Sequence, residues 1–218
     1  MKIQANPMAR LSRVLVTGTA LGATILAVST LQAQPAAPNV NPPAATAPDS
    51  NVSHRAKEFL KDAAQVNQKE IALADVAESK SQNSTVKELA HMMRTDHQQN
   101  YAQVQALAQA HGVTLEAAPD WMNQREIDHL QKVKDADFDQ DYTKMMLKGH
   151  VKTIKLFEKA SADIQEQDVK QYALNTLPAL RLHLRHSEDA ARAVGVDPST
   201  ISSILKDLPN EDRNVSSR

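Results

Sequence analysis

The sequence predicts an all-α fold: an up-down-up-down bundle of four long helices, with a short extra helix between the second and third. Three observations carry this expectation. Apolar residues recur at alternating spacings of three and four through four long segments, which gives each helix one buried face. Aromatic residues are only 3% of the chain and glycine occurs five times in 218 residues, a composition that favours helices and is poor for sheets. Short polar turns join the segments, and short joints between helices make antiparallel neighbours.

The chain begins with the basic residues Lys2, Arg10 and Arg13, followed by an uncharged, mostly apolar run over 14–31 and then Gln32-Ala33. This is the pattern of an export signal over 1–33, cleaved before Gln34. An uncleaved membrane anchor is the alternative, because the run is just long enough to span a bilayer and Leu31 is larger than the residue usual at that place. Residues 34–52 are rich in Pro, Ala and Asn and read as a semi-extended tether. The bundle domain is expected over 53–196, with a short amphipathic turn and a frayed tail over 197–218.

The first helix is expected over 53–80, with the stripe Phe59, Ala63, Val66, Glu70, Leu73 and Ala77. After a turn at 81–84, Thr85 and Glu88 read as a capping box. The stripe of this second helix is Val86, Ala90, Met93, His97, Asn100, Val104 and Leu107, and Gly112 closes it as a C′ residue. Pro119 and Asp120 introduce the short helix, over 121–134. Asp137 with Gln140 reads as the cap of the third long helix, whose stripe is Tyr142, Met146, His150, Thr153, Phe157, Ala160 and Ile164. Asp168 with Gln171 reads as the cap of the fourth. Its stripe is Val169, Ala173, Thr176, Leu180, His183, Ser187, Ala190 and Val194, and Gly195 ends it. Pro178 lies inside this helix, one turn before His183, where it should bend the helix or free a carbonyl.

Bulk chemistry excludes several functions. Lys and Arg number 25 against 26 Asp and Glu, and loss of the three signal cations makes the mature chain mildly acidic. Without a basic run, nucleic acid and anionic lipid are not expected partners, and any membrane association would come from an uncleaved signal. The absence of cysteine excludes disulfides, thiolate metal sites, cysteine nucleophiles and a lipoprotein anchor.

Four polar residues interrupt the apolar stripes: Glu70, His97, His150 and His183. Counting about 1.5 Å of rise per residue from each turn puts Glu70 level with His97 and His150 level with His183, the two pairs roughly one turn apart in height. A buried, unpaired carboxylate is costly, so Glu70 needs a cation, a metal ion or ordered water. Three imidazoles and a carboxylate form a ligand set suited to a divalent metal or copper. Met93 and Met146 each lie one turn before a histidine and are weaker candidates; as ligands they would favour Cu(I), and as core they would fill gaps. His186, one turn after His183, is weaker still and reads mainly as a surface residue. Glu88-Leu-Ala-His91 matches Glu-x-x-His in letters, but Glu88 is assigned to the cap and His91 lies off the stripe. Asp96 and Asp139 read as partners of His97 and Tyr142, or as solvated groups. Gly149, before His150, allows either a close helix approach or room beside the imidazole.

The succession of Glu70, Met93 to His97, Phe138 to Tyr142 leading to Met146 and His150, and Leu177-Pro178 leading to His183 resembles the exported bacterial family known as domain of unknown function 4142, over about 59–194. The resemblance implies a ferritin-like four-helix bundle in the bacterial envelope and implies no reaction. The chain departs from di-iron bundles, which draw a Glu from each of two helices and Glu-x-x-His from each of the other two. Here Arg94 and Leu180 stand three residues before His97 and His183, so ferroxidase or oxygen-activating chemistry is disfavoured. The expectation is an exported protein of the periplasm or outer envelope, non-catalytic, with a mononuclear Glu/His metal site used in metal handling or stress. The alternative is a metal-free structural or interaction module whose Glu/His network supports the fold. An enzyme ranks last, because no phosphate loop, serine elbow or inward acid pair is present.

Overall fold

The computed structural model describes residues 52–208; the expected export signal, the tether up to residue 51 and the tail from 209 lie outside the described residues. The described residues form six helices: α1 (His54–Lys80), α2 (Ser84–Ala110), α3 (Trp121–Lys132), α4 (Asp135–Asp163), α5 (Gln167–Ala193) and α6 (Pro198–Leu205). The described residues contain no strand, and none of their helices is long and apolar enough to cross a membrane.

Helix ends follow local chemistry, though not always at the residues expected. Ser53 caps α1 by accepting from the Ala56 N–H, and Asp120 caps α3 by accepting from the Asn123 N–H. The cap of α2 is Asn83, which accepts from Thr85 and Val86, not the Thr85/Glu88 box. The expected Asp137 and Asp168 caps are also displaced. Lys134 and Glu166 stand at the N-caps of α4 and α5 without a side-chain cap bond, while Asp135 and Asp137 in the first turn of α4, and Asp168 in that of α5, complement the helix dipole. Glu166 instead accepts from the backbone N–H of Ser53 at 2.6 Å, tying the start of α5 to the start of α1. Gly112 and Gly195 have φ of 63° and 80°. In each case the next residue donates back to the helix, Val113 to Ala108 and Val196 to Ala191, which is the Schellman closure that needs a left-handed residue. Pro178 lies within α5 without ending it; the carbonyl it leaves without a donor belongs to Leu174, an exposed residue.

Antiparallel pairing is visible in the contacts. Glu78 of α1 meets Arg94 of α2, while the earlier Asn67 meets the later Asn100. On the other side Glu158 of α4 meets Arg181 of α5, and His150 meets His183. The two pairs then pack α1 on α4 and α2 on α5, with α3 laid against α1 and α6 against α4. The core falls into two apolar clusters. One holds Phe59, Phe157 and Tyr172, whose rings lie 5.0–6.0 Å apart; such pairs add roughly 0.5–1.5 kcal/mol beyond their buried area. The other holds Leu73, Met93, Leu130, Phe138, Tyr142 and Met146. Along α1 and α2 the buried residues between the clusters are polar, Asn67 and Glu70 on α1 and His97 on α2, and His183 of α5 meets this layer with its ring centroid 5.3 Å from that of His97. His150 of α4 joins that layer.

Candidate metal centre

Three helices each deliver one histidine to the polar layer. His97, His150 and His183 are 3%, 1% and 3% exposed, and one ring nitrogen from each lies within 4.8 Å of the others. The ring centroids are 5.3–5.8 Å apart. Such a group of imidazoles could hold a metal ion.

The outer nitrogen of each ring faces an acceptor, and this settles the tautomers. His150 Nδ1 is 2.9 Å from the Met146 carbonyl, which accepts only, so Nδ1 carries the hydrogen and Nε2 keeps its lone pair. His183 Nε2 is 2.9 Å from the Asp96 carboxylate, so its lone pair is on Nδ1. His97 Nδ1 is 2.9 Å from Asn67 Oδ1. The amide of Asn67 cannot be reversed, because its nitrogen donates to the Ala63 carbonyl and to Asn100 Oδ1, both at 2.8 Å. His97 Nε2 therefore keeps a lone pair, and it is buried with no hydrogen-bond partner among the described residues. Each ring thus keeps one lone pair, and those of His150 Nε2 and His183 Nδ1 are 3.4 Å apart. Two lone pairs at that distance repel unless a cation joins them. Tetrahedral bonds of about 2.0–2.1 Å from zinc to nitrogen have edges of about 3.4 Å.

Burial also keeps the rings unprotonated. It pushes His150 and His183 down to about 4, with the Asp96 hydrogen bond pulling His183 partly back. His97 is held well below the ordinary imidazole range by burial, with the neighbouring histidines adding to the effect. Neutral imidazole is the form that binds metal. Outer-nitrogen acceptors are the usual supports of metal-binding histidines, because they fix the ring and raise its basicity.

Glu70 is buried in the same layer at 2% exposure but is not among the three groups whose donor atoms converge. Its Oε1 lies 3.9 Å from Lys69 Nζ, and its Oε2 has no partner among the described residues; nor has the buried hydroxyl of Tyr142. Burial raises the Glu70 carboxyl, and Lys69 and His183 partly offset it. Gly149 makes room for this carboxylate: a Cβ there would stand 3.0 Å from Glu70 Oε1. That is the function of the missing side chain, which spacing alone left open.

The other expected residues fall as follows. Met93 and Met146 are fully buried in the apolar cluster with Leu73 and Phe138, and Met146 serves His150 through its carbonyl. His186 is exposed, beside Asp189 and Met92 in an outer groove. Glu88 and His91 are both exposed; with Glu88 free of any cap, exposure is the reason their Glu-x-x-His match carries nothing. Two pairings differ from expectation. Asp96 bonds His183, not His97, and Asp139 accepts from Ser81 Oγ at 2.6 Å. Asn67 was missed as a partner. It is buried and Val66 only half-buried, so the α1 stripe runs Ala63, Asn67, Glu70, and a polar residue three before Glu70 was the available signal. From Asn67 the network continues through Asn100 to Tyr172 and Thr176. A cavity of about 410 Å³ between α2 and α5, bordered by Asp96, Asn100 and Thr176, reaches His97 and His183 from the surface.

Comparison with known proteins follows the same outline. Residues 41–190 match the family model described as Domain of unknown function (DUF4142). No curated protein matches the chain. Among solved structures the chain is similar to a crystal structure of a DUF305 fragment from Deinococcus radiodurans. The TM-score is 0.58 at 16% identity, and the match covers 65% of this chain and 98% of that one. At that identity the likeness is one of fold.

Proposed function

The chain belongs to the DUF4142 family, a domain described without a reaction, and we propose from its site that it is an exported metal-handling protein of the bacterial envelope. His97, His150 and His183 bind a single divalent metal or copper ion, and Glu70 swings in as a fourth donor. The observation that carries this reading is the convergence of three buried imidazoles, one nitrogen of each within 4.8 Å of the others, each ring held by an acceptor that leaves it one lone pair. Glu70 suits the fourth place because its Oε2 is buried without a partner. The polar groove between α2 and α5, with Asp96 at its border, offers a hydrated cation a route inward. In this reading the four long helices form an up-down-up-down, ferritin-like bundle, 1–33 directs export and is removed, and 34–52 tethers the domain. The role is non-catalytic, in metal storage, buffering or stress.

A metal-free reading, in which the layer only supports the fold or a protein contact, is favoured by one observation: the chain of bonds from Tyr172 through Asn100 and Asn67 to His97 is complete without an ion. Elemental analysis of protein purified without a polyhistidine tag separates the two. About one equivalent of metal, lost in His97→Ala, supports the metal centre. Substoichiometric metal that is unchanged by His97→Ala refutes it.

A further inference from the structure

On another face, where α1, α3 and α4 meet, lies a cavity of about 520 Å³, a size typical of small-molecule sites. Its polar wall is cationic. Lys148 and Lys152, exposed and one turn apart on α4, form no ion pair among the described residues, although like charges so placed repel. Arg125 of α3 completes a set of three. The other two charges there, Lys69 and Glu126, neutralise each other at 3.2 Å. His129 also lines the cavity.

The remaining wall is apolar and unusually exposed. Trp121 and Met122 open α3 at 68% and 59% exposure, the two highest values among the large hydrophobics of the described residues, and Met145 lies beside them in the cavity. The Arg125 guanidinium stands 5.9 Å from the Trp121 ring centroid. A ring beside a cluster of unpaired cations recognises a molecule that is flat at one end and doubly charged at the other.

We propose that this cavity binds a small aromatic phosphate monoester, with its ring against Trp121 and Met122 and its phosphate between Arg125, Lys148 and Lys152. None of the three clustered histidines lines this cavity.

Trp121 is the only tryptophan in the chain, so its emission reports occupancy directly. Purified full-length protein is titrated with phenyl phosphate, inorganic phosphate and benzyl alcohol. Phenyl phosphate should give a saturable change, with half-saturation at least tenfold below that of inorganic phosphate, and benzyl alcohol should give none. The double substitution Lys148→Ala, Lys152→Ala should raise the phenyl phosphate half-saturation at least tenfold while leaving the melting temperature within a degree or two. A non-saturable response overturns the proposal, as does one equal for phenyl phosphate and benzyl alcohol. A half-saturation no lower than that of inorganic phosphate, or unchanged in the double variant, does the same.

Discussion

Acidification of the metal-free protein should remove much of its stability between pH 6.5 and 4. Burial holds His150 and His183 neutral in the fold and pushes each down to about 4, while His97 goes well below its ordinary range. In the unfolded chain each takes up a proton near pH 6.5. Across that window the unfolded state binds more protons than the folded one, so stability falls as pH falls. Fully developed, each of the two shifts to about 4 is worth about 3 kcal/mol, together about 6 kcal/mol, with a steepest slope of about 3 kcal/mol per pH unit. A domain has only about 5–15 kcal/mol in total.

Other groups face the histidines. The Asp96 carboxylate favours the charged form of His183, and Lys69 disfavours it at His150 and His97. Glu70 acts in the opposite sense on stability. Its folded carboxyl is raised by burial, so the folded state takes that proton first and gains stability as pH falls toward 4.5. Glu70→Gln removes this offset. Urea unfolding followed by circular dichroism, in the presence of a chelator from pH 4.5 to 7.5, reads the slope. Wild type should lose stability on acidification, Glu70→Gln should lose it more steeply, and His150→Gln added to Glu70→Gln should keep about two thirds of that variant's slope, because two of the three buried histidines remain. Stability constant to within 1 kcal/mol across the window, in both wild type and Glu70→Gln, would refute the burial argument.

Three further outcomes are expected. Gly149→Ala should gain up to about 1 kcal/mol of helix propensity in a Glu70→Ala background but lose it in wild type, where the new methyl meets Glu70 Oε1 at 3.0 Å; additive urea-unfolding energies would contradict this. If the centre binds metal, Asn67→Ala and Asp96→Ala should each weaken it by about 10–100-fold in chelator competition. Asn67→Ala should also cost about 1–3 kcal/mol of stability by orphaning a buried ring N–H, whereas Asp96 is 43% exposed and leaves His183 a route to water. Gly195→Ala should lower stability by about 1–2 kcal/mol, measured by urea unfolding, because its φ of 80° is unfavourable for a residue with a Cβ.

The helical reading needed only local periodicity. Amphipathic spacing repeats within each segment, and the residues it turned inward on α4 and α5 are buried from Tyr142 to Ile164 and from Val169 to Ala190. Glu70, His97, His150 and His183 were legible for the same reason: a polar residue on an apolar stripe is visible without knowing its neighbours, and constant rise per residue ranks depth within a hairpin. Helix starts were less legible. Thr85, Asp137 and Asp168 have capping chemistry, yet Asn83 takes the first cap, and the starts of α4 and α5 rest on packing and on the reach of Glu166 to Ser53.

Tertiary structure decided what depends on directions between helices. A spacing pattern cannot say which ring nitrogen faces inward, because that follows from acceptors on other turns and other helices: the Met146 carbonyl, the Asp96 carboxylate and the Asn67 amide. Nor can it say that three histidines converge while Glu70, at similar depth, rests against Gly149. Depth along a helix is a one-dimensional quantity written in sequence. The approach of donor atoms to a point is three-dimensional, and packing of the four long helices sets it.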